Sequence, residues 1–178
     1  MSIEEIPSKQ WGRRNSIIFP HIRSAADVYR PNRDLNESTL AVIKPKEIIN
    51  FEIDETPDED FKQQVANLQA LQSQLGLFES RDNRPLDLIP YSFRYEYIDD
   101  AGARHRQKIV DWETYQLYRN CRNRENWKEL MFQRYAVELL KTDIHLFIGT
   151  MQRFPQNWII IGVYRPSTSI LQPNMFDT

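Results

Sequence analysis

The chain has little glycine, a single cysteine and no long apolar run, and each shortage removes a class of protein. Its five glycines form neither GxGxxG nor GxxxxGK, the loops that let backbone approach a phosphate, so a nucleotide-driven enzyme of standard type is not expected. The serine elbow GxSxG is missing as well. With Cys121 as the only thiol, one chain has neither an internal disulfide framework nor a cysteine-based zinc site. No apolar stretch nears the ~20 residues a membrane helix requires; the longest, Trp158 to Val163, is strand-sized. The opening Met1-Ser2-Ile3-Glu4-Glu5 lacks a basic and an apolar leader region. These absences predict a cytoplasmic protein with no membrane partner.

What is present describes a globular chain of 178 residues, 40% hydrophobic, 12% aromatic and 27% charged, with a net charge of -2. The charge is unevenly spread. Residues 51–100 hold 12 acidic and 4 basic side chains, whereas residues 101–178 hold 7 acidic and 11 basic. Such asymmetry sets partner choice more than fold, although two ordinarily solvated faces would give the same count.

Residues 1–37 lack periodicity and read as an irregular arm, in which Trp11, Ile17, Ile18, Phe19, Ile22 and Tyr29 lie among three prolines and five arginines. So many large apolar side chains imply an arm anchored on its own domain or on a partner, with residues 11–33 as the contact. A single domain follows over 38–166, and 167–178 reads as a tail. Leu40 to Ile43 is β-prone, and Ile49 to Ile53 alternates as a half-buried strand. Thr56-Pro57-Asp58-Glu59 is a helix start. Phe61, Val65, Leu68, Leu71 and Leu75 recur at helical spacing behind it, and Gly76 is a stop. Tyr91, Phe93, Tyr95 and Tyr97 alternate into the turn Asp99-Asp100-Ala101-Gly102, with His105 to Val110 returning as a hairpin. Two helices follow, broken near Asn123–Asn126. Ile144 to Met151 and Trp158 to Tyr164 form a second hairpin about a turn at Arg153–Asn157. The order predicts an α+β fold: a mostly antiparallel sheet built from hairpins, helices on one face and an extended N-terminal arm.

Two constellations could carry chemistry. His105, Asp111 and Glu113, with His145 on a later strand, are the one gathering of metal-type ligands, and they suit Mg or Mn in a phosphodiesterase or nuclease. Asp111 at a helix start would equally serve as a cap. The second constellation is cationic. Arg104, Arg106 and Lys108 alternate on one strand, Arg119, Arg122 and Arg124 follow on a helix, and Arg153 lies in the last turn. Spaced cations suit a phosphate backbone, while charge on a strand also protects an edge from aggregation. A net charge of -2 argues against non-specific nucleic-acid binding but permits a local patch. Cys121, beside three arginines, reads as a structural thiol.

Three segments together carry a resemblance. They are Ser38 to Phe51, Leu88 to Tyr95, and His105 through Asp111-Trp112-Glu113 to Phe147-Ile148-Gly149-Thr150 and Trp158 to Gly162. In that order the chain resembles a family of small prokaryotic proteins of uncharacterised activity, with the layout IKPK, IPYxFxY, His, DWE, GT, WIIIG. Many members have a cysteine-rich turn before the His. Here that turn is Asp99-Asp100-Ala101-Gly102-Ala103, so a metal role for it does not transfer. The resemblance implies one prokaryotic domain and no particular activity.

The expected function is a non-catalytic binding or accessory subunit of a larger, nucleoprotein (defence-type) assembly without a cofactor. A protein contacts residues 11–33, and RNA or DNA contacts Arg104, Arg106, Lys108, Arg119, Arg122 and Arg153. The alternative is the metal-dependent phosphodiesterase. If the strand forms, Arg104, Arg106 and Lys108 share one side and His105, Gln107 and Ile109 the other. Replacing the cations should then move stability by at most roughly 0.5 kcal/mol.

Overall fold

Alternating aromatic and polar residues place every second side chain of β4 (Tyr91–Ile98) on one face, and Phe93, Tyr95 and Tyr97 are fully buried there. Burying each is worth about 1.5–3 kcal/mol, which makes this strand the spine of the fold. The chain turns through Asp99–Ala103 into β5 (Arg104–Ile109). Asp99 N–H donates to the Ala103 carbonyl at 2.9 Å, and Gly102 takes a left-handed φ of 86°. A computed structural model describes residues 10–29, 38–75 and 88–166; the expected tail 167–178, the stop at Gly76 and Arg30 and Arg33 of the arm lie outside them.

The remaining strands are β1 (Ile22–Arg23), β2 (Leu40–Ile43), β3 (Glu47–Glu55), β6 (His145–Met151) and β7 (Phe154–Tyr164). They join in one sheet of order β1-β2-β6-β7-β5-β4-β3. β1–β2 and β5–β7 are parallel pairs, and the other four pairs are antiparallel. The fold is α+β, as the element order predicts. Strands β2 and β3 stand five places apart in the sheet yet are joined by residues 44–46 alone. Four steps of chain reach at most about 14 Å, so the sheet is rolled until these two strands approach at one end. Lys46 N–H closes that corner on the Ile98 carbonyl at 2.9 Å.

The concave face holds the core: Ile43, Phe93, Tyr95, Tyr97, Ile109, Leu146, Ile148 and Ile160 are all fully buried. Helices α3 (Trp112–Cys121) and α4 (Trp127–Phe132) cover it, α4 running on through a wide turn at Gln133–Glu138 and a tight one at Leu139–Lys141. Tyr118, Cys121, Met131, Tyr135 and Leu139 point inward, and Tyr135 stacks on Phe51 with ring centres 5.0 Å apart. Burial raises the thiol of Cys121 against the opposing charge of Arg124, which fits a structural role. Helix α2 (Asp58–Leu75) begins one residue after Pro57, whose carbonyl accepts the Phe61 N–H.

The arm departs from its reading as irregular. Trp11–Ile18 is a helix, α1, and β1 pairs with β2. Missing periodicity hid both, because α1 is held by single anchors rather than an apolar stripe. Trp11 packs on Tyr164, the Tyr164 hydroxyl donates to Asn15, and Phe19 stacks on His145. Further along, Ala25 and Val28 are each 1% exposed within the main core. Of the two uses expected for the arm, these anchors serve the chain's own domain. A second difference concerns residues 154–157, expected as turn but forming the start of β7. No described helix is long and apolar enough to cross a membrane.

Candidate functional site

β5 and β7 meet at a single parallel bridge, Ile109 with Ile160. Toward their N-terminal ends they diverge and leave a cleft of about 520 Å³, within the range of ligand sites. β5 lines one wall with Arg104, His105, Arg106 and Gln107; β7 lines the other with Gln156, Asn157 and Trp158, and Tyr29 of the arm forms the end. Alternation along β5 sorts its side chains as expected. His105, Gln107 and Ile109 turn toward the core, and Arg104, Arg106 and Lys108 are exposed.

On the core side the wall is a closed polar network. His105 Nε2 lies 2.8 Å from Asp99 Oδ2, and Asp99 Oδ1 accepts the Ala103 N–H at 2.8 Å. Tyr29 and Tyr97 flank the imidazole with ring centres 4.5 and 5.3 Å away. The Tyr97 hydroxyl donates to Gln107 Oε1 at 2.9 Å, and Gln107 Nε2 donates to the Tyr29 oxygen at 3.0 Å. Tyr29 must then donate to Tyr97, since each hydroxyl has one proton. The three groups form a ring in which both hydroxyl protons are used. Burial raises both tyrosine hydroxyls above their ordinary range, so neither ionises near neutrality.

On the solvent side the cations are already paired. Arg104 donates to Glu96 at 2.6 Å, and Arg106 donates to Glu52 at 2.7 Å and reaches Asp54 at 3.4 Å. Arg94 is bridged to Asp54. The bond from Arg104 holds the Glu96 carboxyl below its usual range. Acids of residues 51–100 (Glu52, Asp54 and Glu96) thus meet Arg104 and Arg106 of the basic segment across β3, β4 and β5. Of the six cations expected on nucleic acid, Arg104 and Arg106 alone line the cleft. Arg119 lies over the exposed Trp112 ring and donates to Gln116, Arg153 lies over Phe154, and Arg122 ends α3.

The expected metal constellation does not assemble. His105 binds Asp99 at one end of β5, whereas Asp111 and Glu113 lie beyond its other end. Among the described residues no three His, Cys, Asp or Glu side chains converge for a metal. Asp111 occupies the N-cap position of α3 without a side-chain cap bond, and Thr114 Oγ1 donates to it at 3.5 Å. Burial, with the charge of Glu113 second, raises its carboxyl. His145 is buried elsewhere, its Nε2 4.0 Å from Asp143 and its Nδ1 without a partner among the described residues. Tyr29, Asp99, Gln107, Gln156, Asn157 and Trp158 were not singled out by motif spacing. The Asp99–His105 pair had a signal, since the hairpin register sets Tyr97 opposite His105; Tyr29 was legible as an arm anchor, but nothing local placed it against β5.

The described residues thus form one rolled α+β sheet with a side-chain-lined split between β5 and β7. Residues 21–178 match the model of a domain of unknown function, DUF8757, and the chain belongs to that family. No curated protein and no solved structure matches it.

Proposed function

We propose that this chain is a non-catalytic protein-binding module, an accessory subunit whose contact is the cleft between β5 and β7. The observation carrying this reading is the chemistry of the cleft wall. It offers amides, an indole, a phenol and two guanidinium groups, and among the described residues no Ser or Cys lines it beside the Asp99–His105 pair. The imidazole is fixed by a carboxylate and two aromatic rings, an arrangement that makes a rigid wall. Pairing of Arg104 and Arg106 with Glu96, Glu52 and Asp54 leaves little unbalanced charge for a phosphate backbone, which favours polypeptide over RNA or DNA. The test is affinity purification of the full chain from its host at low salt, before and after nuclease treatment. A stoichiometric protein that survives nuclease and is lost on Asn157→Arg supports the reading. Retention of RNA or DNA alone favours the nucleic-acid reading instead.

A further inference from the structure

We infer that residues 11–21, helix α1 and the tight turn Phe19–His21 after it, form a proton-released flap: neutral His145 holds them on the sheet, and protonated His145 lets them go. None of the cleft residues takes part. His145 opens β6, opposite Tyr164 of β7. Phe19 stacks on the imidazole with ring centres 5.5 Å apart, and Tyr164 meets it edge-on at 6.3 Å. Under that cover His145 is 2% exposed. Its two nitrogens differ. Nε2 faces Asp143, whose carboxylate is 4.0 Å away, whereas Nδ1 has no partner among the described residues. A neutral imidazole carries one N–H, and Asp143 is the acceptor at hand for it. A second proton must sit on Nδ1, where a buried donor goes unmet beside aromatic rings.

The surrounding charges do not relieve that cost. Burial holds the imidazole pKa below 6.5; Asp143 opposes the shift, and Lys44, itself paired with Asp143 at 2.7 Å, adds to it. From the other packed elements, β7 presents the Tyr164 hydroxyl, which donates to Asn15, and α1 presents Arg14, which lies over Trp11. Neither bonds Nδ1. The flap is the part that can yield. β6 is laddered to β2 on one side and to β7 on the other, so it cannot turn His145 to water without breaking the sheet. Residues 11–21 are absent from the main core. They rest on the sheet through Trp11 on Tyr164, the Asn15–Tyr164 bond and Phe19 itself. A segment so held opens at low cost, and its opening bares one face of the imidazole and the Tyr164 ring. Ala25 and Val28, within the core, keep the rest of the arm in place.

Amide hydrogen exchange of the full chain from about pH 7.5 to about pH 5 tests the flap, each rate being divided by its intrinsic value at the same pH. The open form takes up the proton first, so docking is complete above about pH 6.5 and weakens below it. Protection at Asn15 to Phe19 should therefore fall by up to about tenfold per pH unit below about pH 6.5, until the folded pKa is reached. Its urea dependence should be weak, because local opening exposes little surface. Ile148 in the core should stay better protected and show the steep urea slope of global unfolding. His145→Phe should flatten the pH dependence of the flap, whereas Asn15→Ala should lower flap protection at every pH and leave that dependence in place. Flap amides of the parent chain that exchange only together with Ile148, or that keep their protection down to about pH 5, overturn the inference. Those two outcomes decide it even where a variant does not fold.

Discussion

His145 shows how one side chain ties stability to pH. It is 2% exposed, and burial lowers its pKa from 6.5, with Asp143 opposing the shift and Lys44 adding to it. The unfolded chain therefore takes up the proton first. Stability from this residue is complete above about pH 6.5 and falls as the pH drops toward the folded value. Urea midpoints measured from about pH 7.5 to about pH 5 should decline, and His145→Phe should flatten that decline. The cations of β5 give a second prediction at this scale, one that revises the expected indifference of the strand to charge. Arg106 faces Glu96 and bonds Glu52, so Arg106→Glu sets acid against acid and should cost about 1 kcal/mol. Lys108 instead faces Arg94, a like-charge pair. Lys108→Glu should be neutral or stabilising by up to ~0.5 kcal/mol. Thermal melts of the two single variants should separate, with Arg106→Glu melting lower than the parent and Lys108→Glu at or above it.

Among the elements, the β4–β5 hairpin carries the site, and its turn sets the register. Gly102 has a φ of 86°, and nothing lies within 4 Å of where a Cβ would stand. Gly102→Ala thus tests backbone strain without a clash and should cost roughly 1–2 kcal/mol by urea denaturation. Asp99 is the other determinant of the turn. It is 2% exposed and serves both Ala103 N–H and His105. Asp99→Ala should cost about 1–3 kcal/mol by orphaning those groups, with Asp99→Asn recovering part through the Ala103 bond. Equal losses in both variants would mean that the His105 contact, and not the turn, holds the hairpin end. The strands of this hairpin were legible from their alternation because one face is buried and the other wet. Residues 154–157 were not: Pro155, Gln156 and Asn157 have turn chemistry, and they form an irregular step in β7 between Phe154, opposite Met151, and Trp158, opposite Thr150.

At the scale of the molecule, the arm is a structural part of the roll. Val28 lies 1% exposed in the main cluster, and Tyr29 completes the hydroxyl ring with Tyr97 and Gln107. Val28→Asp should abolish the cooperative urea transition, because an unpaired buried carboxylate costs several kcal/mol. Val28→Ala should cost about 1–2 kcal/mol. A Val28→Asp variant that melts like the parent would place residues 25–29 outside the folding unit.

By itself the sequence determined the elements whose signal is local. Period-two alternation in β3, β4 and β5, the stripe of α2, the Asp-Asp-Ala-Gly turn and the inward Met131, Tyr135 and Leu139 all follow from neighbours along the chain. Alternation also settled which side of β5 is charged. Only the tertiary structure decided that the charge is paired, since Glu52 and Asp54 reach Arg106 through a strand order no local pattern encodes. It also separated His105 from Asp111, because an extended strand holds its two ends apart, and gave the His to Asp99 instead. The cleft itself lay beyond local reading: it exists because two parallel strands, distant in sequence, touch at one bridge and then part.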